Sequence, residues 1–308
     1  MILDGSYGFE LQKFAVAQAD VISLLQFPFM QRAMASAILM GILGGLLGCF
    51  VTLQQLSFFS HAVGHSALVG IVLGVLLQVE PTWMLLPFTL VFGLVVLYLI
   101  DQTELWSDTV LSIVLSGTLA MGVILASLIQ GYRGNLLNVL FGDILAVNSI
   151  DLILTAVLVL ISGGFLLSTL EQQILLTLNP AMAKVQGIPV QLYRYTFVVL
   201  LSLTVAVSIK AVGILLVNAF LVIPAATAKL CSHRFTVFMT FSAAIGALSG
   251  VGGMVISGSL SFASGPSIVL LQFLLFLLVL AFTKLKPWQR RFSPQRRATA
   301  SGQRQRSR

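Results

Sequence analysis

Leu56-Ser57-Phe58-Phe59-Ser60-His61-Ala62-Val63-Gly64-His65-Ser66-Ala67-Leu68-Val69-Gly70 holds two histidines and no charged residue. It lies inside a longer run, Ala33 to Val79, that contains no Lys, Arg, Asp or Glu. A run this long and this apolar reads as membrane-spanning helix, because about 20 apolar residues cross the hydrocarbon of a bilayer. On a helix, residues four apart share a face, so the rings of His61 and His65 stack one above the other. Two imidazoles that converge inside apolar protein suggest a transition-metal site, and ionisable groups at membrane depth mark substrate paths. The plainer alternative is a pair of hydrogen-bonded core histidines.

The rest of the chain has the same character. Hydrophobic residues make up 58% and charged residues 9%, with a mean hydropathy of +1.02. A soluble domain carries about 25% charged residues, so this surface is solvated by lipid and the fold class is all-α, polytopic in the membrane. Hydropathy gives nine candidate spans, at about 34–53, 62–79, 82–100, 109–130, 150–170, 195–209, 212–230, 236–256 and 267–283. Some are short enough to be broken or re-entrant, so the count is eight or nine. Residues 1–28 scatter Asp4, Glu10, Lys13 and Asp20 among apolar residues. That is not the order of a cleaved signal, and it reads as an amphipathic, interfacial segment. Residues 29–283 form the transmembrane domain and residues 284–308 a basic tail. The cysteines, Cys49 and Cys231, form no metal-binding motif and no disulfide framework.

The net charge of +7 is concentrated at that tail: nine of the 17 Lys and Arg lie from Lys284 to Arg308, and no acid follows Glu171. A basic tail suits nucleic acid or the cytoplasmic side of a membrane. In a polytopic chain the second reading is preferred, because Lys and Arg gather on the cytoplasmic side. Counting back from a cytoplasmic tail puts Glu171–Arg194 inside and the Gly131–Ile150 and Ser257–Ser267 loops outside. Leu136, Leu137, Val139, Leu140, Ile144 and Leu145 predict a helix at the interface within the first of those outer loops. The pairs Gly44/Gly48 and Gly246/Gly250 predict close helix packing.

Two more segments carry chemistry. In Leu178-Asn179-Pro180-Ala181-Met182-Ala183-Lys184-Val185-Gln186-Gly187-Ile188-Pro189, Asn179 can cap a helix, Pro180 fits its first turn and Gly187 ends it. A helix of about two turns is marginal alone in water, so it docks against something or is a simple connector. In Gly213-Ile214-Leu215-Leu216-Val217-Asn218-Ala219-Phe220-Leu221-Val222-Ile223-Pro224-Ala225-Ala226-Thr227-Ala228, Pro224 removes a backbone bond and predicts a kink or hinge. Asn218, polar at lipid depth, should face protein. Absences matter too. No GxxxxGK[ST] occurs, so the chain does not bind ATP through a P-loop, and no HExxH supports a metalloprotease. Acids are nearly missing from the spans, which weakens a proton-coupled carrier.

Taken together, these segments resemble the permease subunits of the metal-uptake ABC transporters, the zinc/manganese/iron family. The likeness covers about residues 26–283. Phe27-Pro28-Phe29-Met30-Gln31-Arg32-Ala33 is similar to the family's start of the first span, and 56–70 to its metal-site helix. Leu140-Phe141-Gly142-Asp143-Ile144-Leu145-Ala146-Val147 resembles a run typical of the zinc branch. Asn179–Ile188 resembles the helix that couples to the ATPase, through Asn179, Pro180, Ala183, Lys184 and Gly187. Gly213–Ala228 resembles the family's most recognisable stretch, and Gly265-Pro266-Ser267-Ile268-Val269-Leu270 the start of the last span.

The resemblance implies a type II-like ABC importer permease in a bacterial plasma (inner) membrane, working as a homodimer. Its partners would be a cytoplasmic ATP-binding subunit and a periplasmic or lipid-anchored solute-binding protein, with no nucleic acid. It implies no cofactor of the chain's own and a divalent metal as cargo. His65 matches the family's expected ligand, while His61 stands where the family usually has Asp. A His–His pair is softer and tilts toward zinc over manganese or iron. Zinc-branch relatives can show a His at the position of Ser116, which makes Ser116 a weaker metal candidate; Asn218 and Asp143 are two more. The alternatives are a manganese or iron permease, a secondary metal carrier without an ATPase, and a membrane enzyme using the His pair.

Overall fold

Prolines and polar caps set where several helices begin. Pro28, Pro81 and Pro180 each occupy the first turn of a helix, where a missing N–H leaves no bond unmade. Asn148 and Asp151 close a reciprocal capping box at the start of another. The computed structural model describes residues 26–127, 142, 144–232, 234–260 and 262–291. The described residues contain helices and no strand. The helices are α1 (Pro28–Leu53), α2 (Ser57–Leu76), α3 (Pro81–Gln102), α4 (Ser107–Ser127) and α5 (Ser149–Ser168). They continue with α6 (Leu170–Leu178), α7 (Pro180–Val185), α8 (Val190–Val212), α9 (Ile214–Cys231), α10 (Phe235–Leu260) and α11 (Ser264–Arg291). A 3-10 turn, Ile144–Ala146, precedes α5.

Eight of the described helices are long and apolar enough to cross a membrane: α1–α5, α8, α10 and α11. The ninth expected span, 212–230, is α9, which has 18 residues and a length of about 27 Å. It starts inside the bundle, because Val212 and Ile214 on either side of the α8–α9 break are fully buried. The break is one residue, Gly213, at φ 86° and ψ 160°, a conformation essentially confined to glycine. The sequence placed α8 at 195–209; it is longer, Val190–Val212. The N-terminal segment up to residue 25, most of the Gly131–Ile150 loop and the tail beyond Arg291 lie outside the described residues. Of that loop's expected interfacial helix, the described portion is the 3-10 turn.

Contacts at the helix ends fix which ends share a face. Arg194 at the start of α8 pairs with Asp101 at the end of α3, 2.6 Å apart. Lys210 at the other end of α8 pairs with Asp151 at the start of α5, 2.7 Å apart. The start of α1 (Pro28, Arg32) lines an open cleft of about 460 Å³ with Ser149 and Leu152 of α5. The end of α1 meets the start of α10 through Phe50 and Phe235, whose ring centroids are 5.1 Å apart. Successive helices therefore alternate in direction. The ends near α6 and α7 form one face, and the α1 start and the Lys210–Asp151 pair lie at the opposite one.

The core is built on close backbone approach. A Cβ on Gly41 would run into the Gly246 carbonyl of α10, and one on Gly48 into the Leu221 carbonyl of α9. The Ser242 hydroxyl of α10 donates to the Gly45 carbonyl of α1 at 2.8 Å. The glycines expected to pack do so, but α1 turns two different glycine edges to two different helices. Lipid supplies no hydrophobic drive between helices, so such contacts and hydrogen bonds carry the association.

Candidate functional site

The α2 helix begins at Ser57 and carries His61 and His65 on successive turns. Their ring centroids are 4.5 Å apart and the planes stand at 82°, an edge-to-face arrangement. His65 is 8% exposed, and its Nδ1 is buried without a hydrogen-bond partner. His61 is half-buried. A buried ring nitrogen without a partner is costly, and a cation shared with the neighbouring ring would satisfy it. Centroids 4.5 Å apart are close enough for both rings to ligate one ion at metal–nitrogen bonds of about 2.0–2.1 Å once a nitrogen of each is turned toward it. Among the described residues, no group of three or more His, Cys, Asp or Glu converges to hold a metal. Two imidazoles with water completing the shell would bind loosely and release readily.

The remaining candidates fall elsewhere. Ser116 lies on the exposed side of α4, and its hydroxyl donates to the Ser112 carbonyl at 2.9 Å. Asp143 lies outside the described residues. Asn218, in the second turn of α9, approaches α2: its Oδ1 accepts from the Ser60 hydroxyl at 2.6 Å. Composition and spacing gave no signal for that pairing, since Ser60 and Asn218 are 158 residues apart. The other link invisible in the sequence is at Gly142. Its φ is 66°, and a Cβ there would strike the Gly213 nitrogen. Gly142 is thus seated on the α8–α9 break, just ahead of Asn218.

The short helix at 179–188 forms as α7. The Asn179 Oδ1 accepts from the Met182 N–H at 3.0 Å. Gly187 at φ 76° closes the helix, with its N–H on the Lys184 carbonyl at 3.1 Å and the Ile188 N–H on the Ala183 carbonyl at 3.1 Å. Ala183 is fully buried in a small cluster with Leu176 and Val190, so it anchors α7 to the neighbouring helices. Met182 and Val185 point away from that anchor, 55% and 87% exposed, and Leu178 is 77% exposed. In α9, Pro224 lacks the N–H that would bond the Phe220 carbonyl. That carbonyl faces Gly44 instead, where an added Cβ would come within 2.9 Å of it.

Residues 26–283 match the ABC 3 transport family. The chain belongs to that family. It is 33% identical over 254 residues to the high-affinity zinc uptake system membrane protein ZnuB of Haemophilus influenzae, covering 82% of this chain and 97% of that one. It is 34% identical over 264 residues to the manganese import system permease protein ScaB of Streptococcus gordonii, covering 84% and 93%. Among solved structures, PsaBC from Streptococcus pneumoniae in complex with Fab superposes with a TM-score of 0.74 at 32% identity, covering 85% of this chain and 94% of that one. As a member of the ABC 3 family the chain is a transporter permease, and α2 corresponds to the segment whose sequence resembled the family's metal-site helix.

Proposed function

We propose that the chain is the membrane permease of an ATP-driven importer of divalent transition metal, with zinc as its cargo. The observation that carries the proposal is the His61–His65 pair: two adjacent imidazoles on a mostly buried helix, one with an unpartnered buried nitrogen. The relatives' names support metal import, and they divide between zinc and manganese at nearly equal identity. The preference for zinc rests on ligand softness: among the described residues the site offers two imidazoles and no carboxylate.

ATP hydrolysis belongs to a separate subunit, which docks on α7. Capped and anchored through Ala183, that helix presents Met182 and Val185 outward, beside the exposed Leu178 of α6. The α6–α7 face is the cytoplasmic one, since Lys184, Arg194, Lys229 and Arg234 lie at that end and Lys and Arg gather on the cytoplasmic side. A solute-binding protein delivers the ion at the opposite face. The permease works as a homodimer, whose second copy covers part of the apolar outer side of α4. Alternating access, driven through α7, opens the path past the two rings, and Pro224 is the hinge in α9.

The test is uptake in intact cells expressing the whole transporter. His65→Ala is expected to abolish zinc uptake while leaving the dimer assembled. Competition among zinc, manganese and iron should favour zinc. Normal zinc uptake by His65→Ala would overturn the site, and uptake of manganese alone would overturn the choice of cargo.

A further inference from the structure

Most hydroxyls inside these helices bond back to a carbonyl three or four residues earlier on their own helix, as Thr52, Thr89, Thr204 and Thr227 do. Ser60 departs from that habit. Its own-helix acceptor, the Ser57 carbonyl, is 3.4 Å away, whereas the Asn218 Oδ1 is at 2.6 Å. A hydroxyl has one proton to donate, and here it goes across to α9. Ser60 is fully buried, so the bond is shielded from competing water on the serine side.

The second contact between α9 and α2 comes one turn later. A Cβ on Gly64 would meet the Val217 Cγ1 at 3.4 Å and the Ile214 carbonyl at 3.5 Å. Ser60 immediately precedes His61, and Gly64 immediately precedes His65. The first turns of α9 therefore grip α2 at the two residues next to the two rings. Adjacent residues on a helix point about 100° apart, so holding Ser60 and Gly64 fixes the direction in which both imidazoles project. A small roll of α2 about its axis would carry the rings away together.

We propose that Asn218 is a positioning residue for the histidine pair: by accepting the Ser60 hydrogen bond it sets the rotation of the α2 turn that aims His61 and His65 at one ion. It is not itself a ligand. The inference rests on the metal-transit reading above, and its test separates the two.

The experiment measures initial rates of zinc uptake against zinc concentration in cells expressing the complete transporter, with the permease quantified in the membrane. Asn218→Leu and Ser60→Ala should each raise KM by about three- to tenfold, the factor that one intramolecular hydrogen bond produces. Maximal rate per permease should stay within about twofold, since the bond positions the rings and does not drive the cycle. The double variant should be no worse than the worse single one, because both remove the same bond. Asn218→Asp keeps the acceptor and should hold KM at or below the parent value.

Parental KM in Asn218→Leu and Ser60→Ala, or effects that multiply in the double variant, would overturn the proposal. So would a fall in membrane abundance with KM unchanged, the mark of a purely structural role. His65→Ala serves as the reference: if it takes up zinc normally, the transit reading itself fails. If it is inactive while Asn218→Leu and Ser60→Ala behave as the parent, only the positioning role fails.

Discussion

At the scale of residues, the proposed preference for zinc rests on one position, His61. His65 has its buried nitrogen without a partner, and His61 supplies the second ring 4.5 Å away. Replacing His61 with Asp would turn a soft pair into a mixed one with a hard oxygen ligand, which favours manganese relative to zinc. His61→Asp is expected to lower the zinc-to-manganese uptake ratio by roughly tenfold, the factor that about 1.4 kcal/mol of differential binding produces. Competition uptake with the two metals measures it, and an unchanged ratio would remove His61 from the selectivity argument. The two histidines were legible in the sequence because their spacing is local, one turn of one helix. The Ser60–Asn218 bond was not, because it joins distant segments whose approach is decided by packing. Asn218 could be read only as a polar group that needed a protein partner.

At the scale of elements, α7 was the most legible piece. Asn179, Pro180 and Gly187 are start and stop signals, and they function as such in the fold. The limits of α8 and α9 were harder: the spans 195–209 and 212–230 separated them near the true break, but hydropathy did not show that α8 begins at Val190 or that the break at Gly213 is buried inside the bundle. α7 has six residues, so its cap is a large share of what holds it. Asn179→Ala should cost the helix about 1 kcal/mol and uncouple ATP hydrolysis from transport, while zinc binding by the purified permease stays at the parent level. Substrate-stimulated against basal ATPase activity of the assembled transporter is the measurement. Full coupling in Asn179→Ala would mean that α7 is held by its partner and not by its cap.

At the scale of the whole molecule, eight or nine spans were expected from hydropathy and eight of the described helices are long enough to cross, whereas the arrangement around α1 was not expected. The glycine spacing announced close packing but not its partners. Gly41 and Gly45 face α10, and Gly44 and Gly48 face α9. Gly246→Leu has no space to enter and should lower the thermal unfolding midpoint of the purified protein, overpacking costing about 1–3 kcal/mol or more. Gly164→Ala in α5 meets nothing within 4 Å and should leave the midpoint unchanged or raise it, since alanine favours helix over glycine by about 0.5–1 kcal/mol. The same midpoint for both variants would dissociate packing from stability in this bundle. At Gly41, Gly45 and Gly48, where α1 meets α10 and α9, main chain rests directly on main chain, and side chains such as Phe50 and Phe235 fill the seam only farther along. At the α2–α3 and α3–α8 seams, by contrast, Phe88 and Ser202 side chains fill the gap. Direct backbone contact resists sliding, so α1 and α10 move with the turns of α9 that they touch, and bending within α9 is left to Pro224. Shear is left to the side-chain-filled seams around α3.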